Sequence, residues 1–300
     1  MSDRFALLTA QFDPISLEEI NRRAALQTRA DNKYFLPWSV FSTFMETLQR
    51  THVMLDIDGQ RIFTYDTQYF DTADLHNYWC HVQKRRKRFK VRSRRYVDNG
   101  QYFFEIKLKS GRGETVKYKI KYREEDWGAV TPAAAAFLKE CLHKSYGIEF
   151  AEPLMPTVRT VYQRITVMAL DNSERITCDF NLAFGASNRW QGRMADDYVL
   201  VETKSARGRG KADQLLWRLG ARPTSGSKYC LGVSLIWPNV RCNPFYKVRK
   251  SYFVREADGE AGERFYEPPA AAVVARALGE TQAAVPSSMP VPSTASMLFE

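Results

Sequence analysis

The sequence predicts an α+β protein, an antiparallel β barrel with its charges inside and helices packed against its apolar outer surface. Two observations carry this expectation. Successive segments alternate with period two, the strand repeat, and in each one the charges share one face while apolar or aromatic residues share the other. The charged faces are also overwhelmingly basic, with Asp31, Glu105, Asp179 and Glu202 as their acids. Like charges opposite one another across strands are destabilising, so a sheet that repeats Lys and Arg strand after strand calls for a polyanion. The other reading of the pattern is a basic outer face on a β-sandwich.

In chain order, Ser16 with Glu19 forms a capping box that opens a short helix to about Ala25. Arg29, Asp31 and Lys33 then take the strand spacing. Pro37 suits the first turn of a helix in which Phe41, Phe44, Met45 and Leu48 make one apolar stripe. Val53 to Phe70 reads as one strand. Phe89 to Val97 sets Lys90, Arg92, Arg94 and Tyr96 against Phe89, Val91 and Val97. An Asn99-Gly100 turn leads to Tyr102 to Lys109, where Glu105, Lys107 and Lys109 oppose Tyr102, Phe104, Ile106 and Leu108. After Gly111-Arg112-Gly113, the strand Thr115 to Tyr122 aligns Lys117, Lys119 and Lys121. Thr131-Pro132 starts a helix with Phe137, Leu138, Cys141 and Leu142 inward, ending near Gly147. Strands follow at Thr160 to Met168, Arg175 to Leu182 and Tyr198 to Lys204. A last helix, Lys211 to Leu219, is closed by Gly220. The short loops predict a meander. From residue 266 the composition turns to Ala, Pro, Ser and Val, so residues 1–265 are expected to form the domain and 266–300 a disordered tail.

Composition narrows the function. A formal net charge of +10 and a pI near 9.3 imply anionic partners. No segment reaches the run of apolar residues a membrane helix needs, and the N-terminus lacks a signal pattern, so a cytoplasmic protein is expected. Five cysteines without a CxxC point to neither a disulfide framework nor a zinc site. The histidines form no Ser/His/Asp or HExxH arrangement, and no phosphate-loop or dinucleotide fingerprint occurs. His81 is a candidate phosphate contact, and the Ala206 to Gly210 loop a candidate phosphate cradle. The run Lys84 to Arg95 taken alone reads as nuclear targeting or RNA contact, but its second half alternates as a strand. Nucleic acid is not expected as a partner, because stacking aromatics do not lie on the basic faces.

The remaining chemistry is phosphoryl transfer on a polyanion. Arginine forks and lysine point charges neutralise phosphate oxygens, and a carboxylate holds a divalent ion that bridges phosphates. Of the four acids, Glu202 is the strongest metal candidate, because Lys204 follows on its face and few other carboxylates lie near it.

The ordered motifs TRADNKYFL, YFDT, VRSRRY, FFEIKLK, VKYKI, TVYQRI, RITCDF, LVETK and SKYCLG resemble the polyphosphate polymerase (VTC) domain of the triphosphate tunnel metalloenzymes, over Gln27 to about Val233. The resemblance implies a closed eight-stranded antiparallel tunnel that binds ATP with Mn²⁺ or Mg²⁺ and passes the terminal phosphate to a growing polyphosphate chain. It implies catalytic roles for Lys33, Arg92, Arg94, Lys107, Arg164 and Lys228, further phosphate contacts from Lys119, Arg175 and Lys204, an aromatic lining position at Tyr162, and metal binding by Glu202. Asp31 departs from the family's R-x-E-x-K-Y pattern, and its shorter side chain puts a direct metal contact there in doubt. The SPX sensor and membrane helices of eukaryotic members have no counterpart, so the resemblance is to a stand-alone, bacterial type. The same tunnel also suits a tripolyphosphatase or nucleoside triphosphatase, or a non-catalytic polyphosphate-binding module.

Overall fold

A computed structural model describes residues 2–24, 30–109, 115–186, 189–237 and 239–255. The candidate tail, Arg29 and the Gly111-Arg112-Gly113 turn lie outside them. The described strands are β1 (Pro14–Ile15), β2 (Ala30–Pro37), β3 (His52–Leu55), β4 (Phe63–Asp71), β5 (Phe89–Tyr96), β6 (Gln101–Lys109), β7 (Thr115–Tyr122), β8 (Met155–Ala169), β9 (Glu174–Ala186), β10 (Arg189–Met194), β11 (Tyr198–Ser205) and β12 (Phe253–Arg255). The helices are α1 (Ser2–Thr9), α2 (Leu17–Ala24), α3 (Trp38–Leu48), α4 (His76–Val82), α5 (Pro132–Tyr146), α6 (Lys211–Arg218), α7 (Lys228–Ile236) and α8 (Tyr246–Tyr252).

All the strands belong to one sheet, through which an unbroken antiparallel path runs β2-β11-β9-β8-β4-β5-β6-β7. These eight strands are the path the sequence leads one to expect, but the sheet has 12 strands and, among the described residues, β2 and β7 are not paired, so the closed barrel is not what is observed. The edge of β2 is already engaged: the Thr224 amide donates to the Lys33 carbonyl at 2.7 Å. Nor is the order a simple meander. Two runs of strands follow one another, β4 to β7 and β8 to β10, but β8 returns beside β4, and β11 lies between β9 and β2.

Period-two alternation explains why one face of this path is apolar. Tyr34, Leu36, Ile165, Val167, Ile176, Cys178, Phe180, Val199 and Val201 are buried against α1, α3 and α6. Phe89, Val91, Phe104, Ile106 and Leu108 are buried against Leu138, Cys141 and Leu142 of α5. Each such side chain contributes about 1.5–3 kcal/mol of burial. The charged residues alternate with these and take the other face.

Several local readings hold. The Glu19 amide donates to Ser16 Oγ at 3.2 Å, Thr131 caps α5 through the Ala134 amide, and Gly147 and Gly100 take left-handed conformations where α5 and β5 end. Pro37 precedes the helix as its N-cap rather than entering its first turn. The expected strand Val53 to Phe70 is divided into β3 and β4 by a turn at Asp58-Gly59, both at positive φ, with the Gly59 amide bonded to Asp56 Oδ1 at 2.8 Å. Both halves pair with β8.

Helix α7 lies close against the sheet at Gly232, where an added Cβ would stand 2.5 Å from Val158 Cγ1 and 2.8 Å from Phe184 Cδ1. Gly232→Ala is therefore expected to destabilise the fold by about 1–3 kcal/mol through overpacking, read from the urea midpoint at unchanged slope.

Candidate functional site

The charged face gathers side chains from every strand of the eight-strand path. At its centre Arg164 of β8 forks onto Asp179 of β9, at 2.6 Å from Nε and 2.9 Å from Nη2, and Lys228 also donates to Asp179. The Lys228 ammonium stands 4.4 Å from the centroid of Tyr162, which stacks on Tyr65 at 5.2 Å. Arg94 reaches the same cluster, donating to Thr67 Oγ1 and the Tyr162 hydroxyl, each at 3.3 Å. Arg92 of β5 pairs with Glu105 of β6 at 2.5 Å. Glu202 of β11 is held differently, by lysine tips at 3.3 Å (Lys33) and 3.7 Å (Lys204).

Facing strands bring further bases together. Lys107 lies opposite Lys90 on one side and Lys117 on the other, so three lysines form a row across β5, β6 and β7. Lys204 lies opposite Arg175 and Asp31. The sheet curls enough for its two ends to sense one another. Burial lowers the Lys107 pKa, and Glu202 and Asp31 partly offset that, while Lys117 adds to the depression of Lys204.

These surroundings set the ionisation of the face. Burial pushes Lys204 down to about 7, opposed by Glu202 and reinforced by Arg175 and Lys117. Burial likewise brings Lys90 down to about 8, with Lys107, Arg88 and Lys33 adding to the effect. Burial works against ionisation of Glu202, but Lys33, Lys204, Lys107 and Lys228 overcome it and hold the carboxyl well below the usual range. For Glu105 the same contest ends at about 2, with Arg92 and Arg94 outweighing burial.

Lys33, Arg92, Arg94, Lys107, Arg164, Arg175, Glu202, Lys204 and Lys228 thus share one charged face. Lys119, opposite Glu105 on the edge strand β7, is on the same face but exposed, with its ammonium 5.0 Å from the Phe103 ring centroid. Its neighbour Lys117 is the β7 base that bears on Glu105 and Lys204. Asp31 is exposed. His81 props Lys90: Nδ1 is 3.3 Å from the ammonium and Nε2 is 3.2 Å from the Phe89 carbonyl, while burial and Lys90 lower its pKa to about 3. Neutral His81 accepts from Lys90 and donates to Phe89, leaving neither nitrogen for phosphate. The Ala206 to Gly210 loop is engaged in part. The Gly210 amide donates to Asp213 Oδ2 at 3.0 Å, the Gly208 carbonyl accepts from Asn32 at 2.8 Å, and in the helix that follows the Ala212 amide donates to Glu174 at 3.0 Å.

Sequence periodicity missed the groups that aim Lys228. Asp71, fully buried, accepts the amides of Thr72, Asn77 and Tyr78 at 2.8–2.9 Å and the hydroxyl of Tyr229, tying the start of α4 to the start of α7. The first residue of α7 is Lys228, whose helix is opened by Ser227 capping the Cys230 amide. A charge alternation cannot report an acid whose partners are backbone amides.

A family model for the VTC domain matches residues 28–237, a span that holds every member of this face from Asp31 to Lys228. The chain belongs to the VTC domain family. No curated protein matches it. Among solved structures, the VTC domain here is similar to a putative adenylyl cyclase from Hippeastrum described as having a dominant triphosphatase activity, at 16% identity and a TM-score of 0.44, covering 69% of this chain and 96% of that one. It is also similar to putative adenylate cyclases from Bacillus halodurans (10% identity, TM-score 0.41, 67% and 94% covered) and Vibrio parahaemolyticus (10%, 0.39, 67% and 95%).

The lowered lysines of the VTC domain make two pH effects run in opposite directions. Lys204 holds protons less tightly folded than unfolded, so from about 7 to the ordinary lysine range its contribution to stability rises with pH. An anion favours the charged lysine, so tripolyphosphate affinity should fall as pH rises from about 7 to 9, with proton uptake on binding from Lys204 and Lys90. Titration calorimetry in buffers of different ionisation enthalpy reads that uptake. Proton release, or none, is the contrary result.

Proposed function

We propose that this chain is a polyphosphate polymerase that transfers the terminal phosphate of ATP to the end of a growing polyphosphate chain on the charged face of its sheet. The observation that supports this most is the combination on one face of Arg94, Arg164 and Lys228 around Tyr162 with a carboxylate, Glu202, that lysines hold. Membership of the VTC family points the same way.

In this reading a terminal oxygen of the polyphosphate chain forms a bond to the γ-phosphorus of ATP. The bond from that phosphorus to the β–γ bridging oxygen breaks, and ADP leaves with the electron pair. Arg94, Arg164 and Lys228 spread the charge of the transferring group and Lys33, Arg92, Lys107 and Lys204 hold the flanking phosphates, with Arg175 and Lys119 further out. Such a reaction depends on position and field more than on covalent help from the protein. Asp179 keeps Arg164 and Lys228 in place before the anion arrives, so little reorganisation is left for the reaction itself.

The donor chemistry also fits a divalent ion. No group of three or more His, Cys, Asp or Glu capable of holding a metal occurs among the described residues. A single carboxylate together with substrate phosphates is, however, the usual set for Mg²⁺ and Mn²⁺ at phosphate sites. Glu202 would hold Mn²⁺ or Mg²⁺ in that way, and the ion would supply charge neutralisation across phosphate oxygens. A triphosphatase is the second reading, favoured by the lack of β2–β7 pairing among the described residues, since a face that does not close into a tunnel admits water as the acceptor more readily. In both readings the partners are the nucleotide and polyphosphate, and the reaction is placed in the cytoplasm. No helix among the described residues is long and apolar enough to cross a membrane.

Purified protein incubated with ATP and Mn²⁺ should yield long chains on a polyacrylamide gel. Free phosphate as sole product would favour the hydrolase, and unchanged ATP would leave a binding module. Glu202→Gln should lower turnover on the order of a hundredfold while metal-free tripolyphosphate binding persists; wild-type turnover at limiting metal would remove Glu202 from the metal site.

A further inference from the structure

The charged face does not account for Lys84–Arg88, five consecutive basic residues joining α4 to β5. Lys84 to Lys87 are exposed, yet the loop is built rather than slack. Lys84 takes a left-handed φ of 56°, with its amide on the His81 carbonyl at 3.1 Å and the Arg85 amide on the Cys80 carbonyl at 2.9 Å, which closes α4. The Lys87 ammonium donates to the Tyr146 carbonyl at 2.8 Å, Arg85 Nε to Gln83 Oε1 at 2.7 Å, and Arg88 Nη1 to the Arg85 carbonyl at 2.5 Å. These three acceptors are neutral. They fix the side chains and leave their charge in place.

The loop is continuous with the charged face. The Lys109 amide donates to the Arg88 carbonyl at 3.1 Å, so the loop emerges where β5 begins and β6 ends. Moving toward it along those strands, the row Arg92, Glu105, Lys119 still contains an acid, whereas the next row, Lys90, Lys107, Lys117, has none. Arg88 is near enough to Lys90 to help depress its proton affinity. The opposite end of the same strands is aromatic: Tyr96 packs edge-on against Phe103 at 5.9 Å and Tyr65 at 5.1 Å. The two ends therefore differ in chemistry, one suited to rings and the other only to anions.

We propose that Lys84–Arg88 is a binding track for the stretch of a linear inorganic polyphosphate that runs beyond the charged face, past Lys90, Lys107 and Lys109. This rests on the reading of that face as a polyphosphate site. The loop offers charge without rings or apolar side chains. Between Gln83 and Arg88 there is no aromatic side chain on which a base could stack and no apolar one to enter a membrane, which disfavours single-stranded nucleic acid and lipid. A chain with a charge on every phosphate needs neither.

The triple variant Lys84→Asn, Arg85→Gln, Arg86→Gln tests this without any residue assigned to turnover; Asn is chosen because it tolerates the left-handed backbone. Binding of tripolyphosphate and of long-chain polyphosphate is measured without ATP, across salt concentrations, with melting curves as the folding control. The Kd for the long chain should rise at least about tenfold and its salt slope fall by about 2 for three lost phosphate contacts, while tripolyphosphate binding changes by less than about twofold. Should the triple variant fail to fold, Lys84→Asn alone is expected to weaken only the long chain, by about threefold. An unchanged Kd for the long chain, or equal losses for both ligands, overturns the track. So does a wild type that binds single-stranded RNA or phosphatidylserine vesicles through this loop more tightly than it binds long-chain polyphosphate. Failure of wild type to bind tripolyphosphate at all would strike the polyphosphate reading of the charged face first, and the track with it.

Discussion

Crowding of like charge on one face of a curved sheet is the constraint on which the rest of this structure depends. Its acids are already committed: Glu105 to Arg92, Asp179 to Arg164 and Lys228, and Glu202 to Lys33 and Lys204. Lys90, Lys107 and Lys117 stand directly opposite one another in a row across three strands, an arrangement of like charge that costs stability on any sheet. The cost is visible in Lys204 and Lys90, which burial and their neighbours bring close to neutral pH in proton affinity. Ion pairs of this kind contribute little net stability, since desolvation offsets most of the attraction. What they provide is a set of charged groups already in position for an anion that would relieve the repulsion.

The opposing stabilisation comes from the other face of the same strands. Residues that alternate with the charged ones, such as Tyr34 beside Lys33 or Val201 and Thr203 around Glu202, are buried. Buried acids there do structural work with neutral partners. Asp213 accepts from Asn32, Tyr34 and Thr203 at 2.6–3.0 Å and joins β2, β11 and α6. Asp71 joins α4 to α7 through Tyr229 and so fixes the residue next to Lys228. The buried carboxylates named here thus divide between those that order cations, such as Asp179, and those that hold neutral side chains and amides, such as Asp213 and Asp71.

Alternation made the strands, the basic face and most of its members legible in the sequence, because a period of two is fixed by backbone geometry. The pattern could not say whether the path of strands closes. That is decided by the Thr224 segment bonding to the edge of β2, a contact between residues far apart in the chain. Nor could it rank Lys117 above Lys119, since both lie on the same face of β7 and differ only in how the sheet curls around them. The Asp58-Gly59 turn was missed within a stretch that reads as one strand, although Asp-Gly is a strong turn signal. His81 and the Gly208 loop looked available for phosphate only because sequence does not show their hydrogen-bond partners. The short helix α4 escaped for the same reason, since its start is held by tertiary bonds to Asp71; α7 does carry a local cap, Ser227, which charge alternation does not register.

Ligand-dependent melting tests most directly whether the repulsion on this face is relieved by a chain of phosphates. Tripolyphosphate at a hundredfold excess over its Kd should stabilise the fold by about 2.7 kcal/mol. Orthophosphate at equal ionic strength should do far less, because it spans too little of the face, and short RNA should fade steeply with salt. A larger shift with RNA than with tripolyphosphate would mean that the bases form a general anionic surface, and would contradict the account.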